Sequence, residues 1–105
     1  MSEHIYNVTI VVNPVVEARW IQWMKEEHIP EVMETGMFTS FIFTQVFPEQ
    51  EQDHPSYSVQ YRATHLESIK LYMQMYAGAL REKSAKAWGE HALAFRTVLE
   101  VLDEK

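Results

Sequence analysis

The chain of 105 residues contains no cysteine. Disulfides, thiolate zinc sites and cysteine nucleophiles are therefore excluded. Glycine is scarce as well: the three glycines, at positions 36, 78 and 89, lie too far apart to build a phosphate-cradling loop. Positive charge is short, nine Lys and Arg against 15 Asp and Glu, for a net charge of −6. That balance argues against nucleic acid or an anionic membrane as partner, because phosphate binding rests on Lys and Arg. No apolar run is long enough to span a bilayer. The opening MSEHIYNV lacks the basic segment and apolar stretch of a secretory signal. The expectation is a cytoplasmic protein without membrane association.

What is present is ordinary for a globular protein: 47% hydrophobic and 23% charged residues, in a length that suits one domain over 1–105. IYNVTIVV (5–12) is β-branched and bounded by Asn13-Pro14, which predicts a strand. Val16, Trp20, Trp23 and Met24 then recur at three- and four-residue spacing, the mark of an amphipathic helix opened by Pro14. Ile29 precedes Pro30 and is biased out of the helical region, so this helix should break or bend near His28. Gly36 is placed to end the next short helical turn.

MFTSFIFTQVF (37–47) and YSVQYRA (57–63) predict a hairpin around the acidic connection PEQEQDHPS. Thr64 and Glu67 have capping-box spacing, and Leu66, Ile69, Met73, Tyr76 and Leu80 form one helical stripe, with a kink or division expected at Gly78. HALAFRTVLEVL (91–102) closes as a strand. The order β-α-β-β-α-β predicts an α+β, ferredoxin-like fold: a four-stranded antiparallel sheet with both helices on one face.

Strand alternation assigns residues to faces. Tyr6, Val8, Ile10 and Val12 should meet the helices, with Leu93, Phe95, Thr97 and Leu99 as their counterparts in the last strand. The second strand is ambiguous, since Phe41, Phe43 and Phe47 oppose Phe38, Ile42 and Val46. The helix-free face then carries Asn7, Thr9, Gln60, Arg62, Arg96 and Glu100 among aliphatic groups. That mixture suits a surface that is partly dimer interface and partly a polar-lined cleft. Trp20 and Trp23 read as core, and His28 as a cap at a helix end. A His28 titrating near neutrality at a cleft mouth would serve as a general base. The histidines are too scattered for a metal site, no motif asks for a cofactor, and YSVQYRAT lacks the glycine and basic start of an RNA-recognition strand.

IYNVTIVVNP, WIQWMKEEHIPEVMETGMF, YSVQYRA and AFRTVLEVL together resemble an uncharacterised bacterial domain-of-unknown-function family of short stand-alone proteins in the dimeric α/β-barrel superfamily. The resemblance spans nearly the whole chain. It implies a ferredoxin-like protomer whose sheet packs on a second copy, and it supplies no catalytic residue set. The superfamily includes cofactor-independent and haem-degrading monooxygenases. The haem-degrading type pairs an Asn of the first strand with a Trp and a His of the second helix region. Asn7 fits that pattern, but Leu66 to Leu80 holds neither Trp nor His.

Three functions follow as expectations. The first is a homodimer that binds a small aromatic or anionic metabolite on the helix-free face, through Asn7, Thr9, Gln60, Arg62 and Arg96. The second is a cofactor-independent monooxygenase or isomerase using His28 as base. The third is a structural dimerisation domain.

Overall fold

The computed structural model describes residues 3–105. Strand β1 (His4–Val12) is followed by a single 3-10 turn at Pro14–Val16. Asn13 opens that turn, its side-chain oxygen accepting the Val15 N–H at 3.0 Å. Helix α1 (Glu17–Trp23) runs through a π-turn at Met24–His28 into helix α2 (Ile29–Glu34). Strands β2 (Ser40–Val46) and β3 (Ser56–Ala63) form the hairpin, and helices α3 (Leu66–Met75) and α4 (Ala77–Trp88) lead to β4 (Ala92–Glu100). The sheet has the order β2-β3-β1-β4 with every neighbouring pair antiparallel, the split-βαβ arrangement that the element order predicts.

Three local features differ from the expectation. Where a break or bend near His28 was expected the first helix widens into the π-turn, but Ile29 is not driven out of the helical region. It stays at φ −61°, ψ −44°, and its N–H bonds the Met24 carbonyl five residues back. A proline has no N–H to give the ladder, and the widened turn absorbs the misfit instead of ending the helix. The Thr64–Glu67 capping box does not form, since α3 starts one residue later with His65 at its N-cap and no side-chain cap. The division of the third helical segment falls at Tyr76 (φ −123°) and not at Gly78, which lies inside α4. Gly36 closes α2 at φ 76°, a conformation that costs glycine nothing, with its N–H on the Met33 carbonyl at 3.1 Å.

The core lies between helices and sheet. Tyr6, Ile10 and Val12 of β1 and Tyr57, Val59, Tyr61 and Ala63 of β3 are buried against Trp20, Met24, Ile29, Val32 and Ile69 of the helices. Two aromatic groups anchor it. Phe38 packs on Tyr61 at 5.2 Å and on Tyr72 at 5.0 Å between ring centroids, and Trp20 packs on Tyr57 at 5.1 Å and Phe43 at 5.8 Å. The ambiguity of β2 is settled by register: Phe41 pairs with Tyr61 and Phe43 with Val59, so both face the helices, while Ile42 and Val46 face away.

Candidate functional site

The register of β4 on β1 decides where the site lies. Val8 pairs with Arg96, Ile10 with Ala94 and Val12 with Ala92, so Arg96 and two alanines lie on the helix side of the sheet. This corrects the assignment of Arg96 and Glu100 to the helix-free face. Alternation alone favours turning the bulkier set inward, but Leu93, Phe95 and Leu99 point away from the helices. Ala92 and Ala94, with one methyl each, leave space that larger side chains would have filled.

That space is a cavity of about 290 Å³ between the sheet, the first helical segment and α4. Its floor is Val8, Ile10, Val59 and Tyr61 with Ala92, Ala94 and Arg96. One wall is Trp20, Trp23, Met24 and His28, the other Arg81, Ser84, Ala85 and Trp88 of α4. All three tryptophans of the chain border it. An inner recess of about 30 Å³ shares His28, Arg81, Ser84 and Arg96 and reaches Tyr6 and Tyr72. This cavity lies on the opposite side of the sheet from the helix-free face, where the cleft was expected.

The π-turn aims His28. In a regular α-helix, residues five apart are about 140° out of phase. The extra residue in this turn brings Trp23 and His28 together, and their rings stack at 5.0 Å with 20° between planes. Trp88 packs against Trp23 edge-on at 5.7 Å. Burial is the largest cause holding the His28 pKa down at about 4; Glu31 opposes it, and the Arg96 charge lowers it further. The imidazole is thus neutral at pH 7. Its Nδ1 and the Trp88 Nε1 are buried without hydrogen-bond partners among the described residues.

The two cleft arginines differ. Arg81 donates to the Tyr6 hydroxyl at 3.2 Å and approaches the Met73 sulfur at 3.5 Å. Arg96 is exposed and makes no hydrogen bond or ion pair among the described residues. Lys83 of α4 bridges to Glu31 at 2.8 Å and Glu27 at 3.4 Å, which ties α4 to the π-turn and α2. Glu27 thus points to solvent and serves that clasp.

Of the six residues expected to form a site, the structure brings together two, His28 and Arg96. Asn7, Thr9, Gln60 and Arg62 lie on the other face, where most are occupied. Asn7 accepts from Ser58 at 2.8 Å and donates to Thr97 at 3.2 Å and Thr9 at 3.4 Å. Arg62 is held by Glu3 at 2.8 Å and Glu104 at 2.9 Å. Glu100, on the helix side with Arg96, stands 3.9 Å from His4. Around this polar strip Ile42, Val46, Leu93, Phe95 and Leu99 are exposed, Ile42 and Phe95 to 61% and 60%. Trp88, Arg81 and Ser84 were not singled out by the sequence reading. The signal was there in the spacing Arg81, Ser84, Ala85, Trp88, which lines one face of a helix.

Among the described residues no cluster of His, Asp or Glu is arranged to hold a metal, and no helix is long and apolar enough to cross a membrane.

The backbone is similar over its full length to a dimeric ferredoxin-like protein from an uncultured marine organism, with a TM-score of 0.77, 11% identity and 100% of both chains covered. It is also similar to an ethyl tert-butyl ether d (ethd) family protein from Bacillus halodurans C-125, at TM-score 0.67 and 13% identity over 92% of this chain and 97% of the other. A protein of unknown function from Nitrosomonas europaea aligns at TM-score 0.69 and 16% identity over 100% of this chain and 94% of its own. At such identities these likenesses establish the ferredoxin-like fold alone. No curated protein matches the sequence. A family model described as "Domain of unknown function (DUF4286)" matches residues 3–102.

Proposed function

The chain belongs to that family of unknown function, and on that premise we propose that each protomer binds a small, planar aromatic anion in the cleft between sheet and helices. The observation that carries this reading is Arg96, an unpaired guanidinium at the floor of a cavity bordered by three tryptophans. Trp20 is buried behind the lining, but the half-buried Trp23 and Trp88 offer aromatic surface for a flat apolar body. A free guanidinium supplies paired N–H donors for a carboxylate. The cavity volume of about 290 Å³ suits a ligand of one or two rings. Binding is favoured over base catalysis, because an imidazole with a pKa of about 4 is a poor proton acceptor at neutral pH.

The test uses the tryptophans themselves. Titrating benzoates and naphthoates into the protein is expected to change tryptophan emission and raise the melting temperature. Arg96→Ala should weaken that binding by roughly 10- to 100-fold, the range for losing a charge-assisted hydrogen bond of about 1.5–3 kcal/mol. Unchanged affinity in the variant removes Arg96 from the site.

The exposed apolar strip of the helix-free face supports a second copy of the chain as its cover, and the similar marine protein is itself described as dimeric. Sheet-to-sheet packing would bury Ile42 and Phe95 while Asn7, Ser58 and Thr97 keep their own hydrogen bonds. Phe95→Lys is expected to weaken dimerisation at least tenfold in analytical ultracentrifugation, since an unpaired charge is expensive to bury. Identical sedimentation of variant and wild type would place any dimer contact elsewhere.

A further inference from the structure

We propose that His28 stands in the cleft as the Nε2–H tautomer of a neutral imidazole, a fixed donor that selects a ligand bearing a second oxygen acceptor over one bearing an N–H donor at that place. The ligand half of this inference rests on the binding reading above; the tautomer does not. A neutral imidazole carries one N–H and one lone pair, and surroundings choose between the two arrangements. The π-turn sets the direction of the His28 side chain, and Trp23 stacks flat on its ring. In that orientation Nδ1 is buried with no partner among the described residues. A proton there would be an orphaned buried donor, a rarer and costlier state than an orphaned acceptor. The proton therefore belongs on Nε2.

The rest of the lining agrees. Arg96 and Arg81 are donors only, and no Asp or Glu borders the cavity. The charged groups that bear on the ring from neighbouring elements are Glu31 and Glu27 of its own helical segment, Lys83 of α4 and Arg96 of β4. Lys83 is bonded to both glutamates, so Arg96 is the unpaired one. A second proton on His28 would set a cation beside it. The Ser84 and Tyr61 hydroxyls of the lining can donate or accept, so the fixed polar groups are the donors Arg96 and His28. The matching molecule is an aromatic acid with a carbonyl or phenolate oxygen set apart from its carboxylate.

The deciding measurement is a long-range ¹⁵N–¹H correlation spectrum of the ¹⁵N-labelled full chain. The expected pattern for His28 is a protonated Nε2 and a bare Nδ1, unchanged from pH 8 to pH 5. An Nδ1–H ring, or a doubly protonated one at pH 7, overturns the proposal. The ligand half is read by tryptophan emission with 4-acetylbenzoate and 4-aminobenzoate. The acetyl compound is expected to bind about tenfold more tightly, with the preference lost in His28→Phe and kept in His28→Gln, which retains an N–H donor. Equal affinities, or a preference for the amine, overturn the selectivity. Binding of neither probe overturns the aromatic-acid reading and the selectivity with it, whereas a wrong tautomer leaves the aromatic-acid reading standing.

Discussion

Trp20→Ala is expected to lose about 3–5 kcal/mol of folding stability, the range for truncating a buried aromatic side chain. Trp20 is 2% exposed and is held between Tyr57 and Phe43, so it joins the first helix to both strands of the hairpin. Neighbouring rings cannot collapse into the vacated volume, because Tyr57 is anchored by its hydrogen bond to Glu17 and Phe43 by its place in β2. For a chain of this size the loss corresponds to a fall in melting temperature of roughly 12 °C or more. Urea unfolding followed by far-UV circular dichroism measures it directly. Trp23→Ala offers the contrast: that ring is half-buried and stacks on His28, so its removal should cost less stability and perturb the cleft more. A Trp20→Ala protein within 1 kcal/mol of wild type would mean that this ring does not hold helix to hairpin.

Acid is the second large lever. The His28 pKa falls from 6.5 in the unfolded chain to about 4 in the fold, chiefly through burial, so between those values the unfolded chain binds the proton and the folded one does not. Stability from this group is complete above pH 6.5, declines as the pH falls, and by pH 4 is lower by roughly 3 kcal/mol. Arg96 and Lys83 deepen the effect, while Glu31 and Glu27 oppose it. Urea midpoints of wild type and His28→Phe, compared from pH 7.5 to pH 4, isolate the contribution, because titrating carboxylates are common to both. The variant is expected to show a flatter profile over this window. Parallel profiles would mean that His28 binds its proton equally well in the folded and the unfolded chain.

Much of the fold was legible because its signals are local. β-branched runs, the Asn13-Pro14 turn and Gly36 each depend on a few neighbouring residues, and the element order then leaves few topologies. The site was harder to read, and β4 shows why. Its two faces, Leu93-Phe95-Leu99 and Ala94-Arg96-Val98, both look able to face the core, and the choice belongs to the pairing with β1 across some 90 residues of chain. Hydrophobicity favours the bulkier face, yet the fold turns Ala92 and Ala94 inward and keeps a hollow. The pairing of Asn7 with Ser58 and Thr97 is equally non-local, so those residues looked available when they are bonded to one another. Trp20 was read correctly as core from its spacing. The same spacing gave no hint that one side of that core is empty.

The five-residue step from Met24 to Ile29 carries a consequence of its own. Both residues are buried on one side of the helix, which a strict 3.6-residue repeat does not allow. The turn between them holds one residue more than α-helical phase requires, and the second half of the helix inherits that offset. The aim of the side chain at position 28 is therefore set by counting: one residue fewer in this turn would swing the position by about 100° around the axis, whatever amino acid stood there. A chain length, and not a contact, points the imidazole at the cleft.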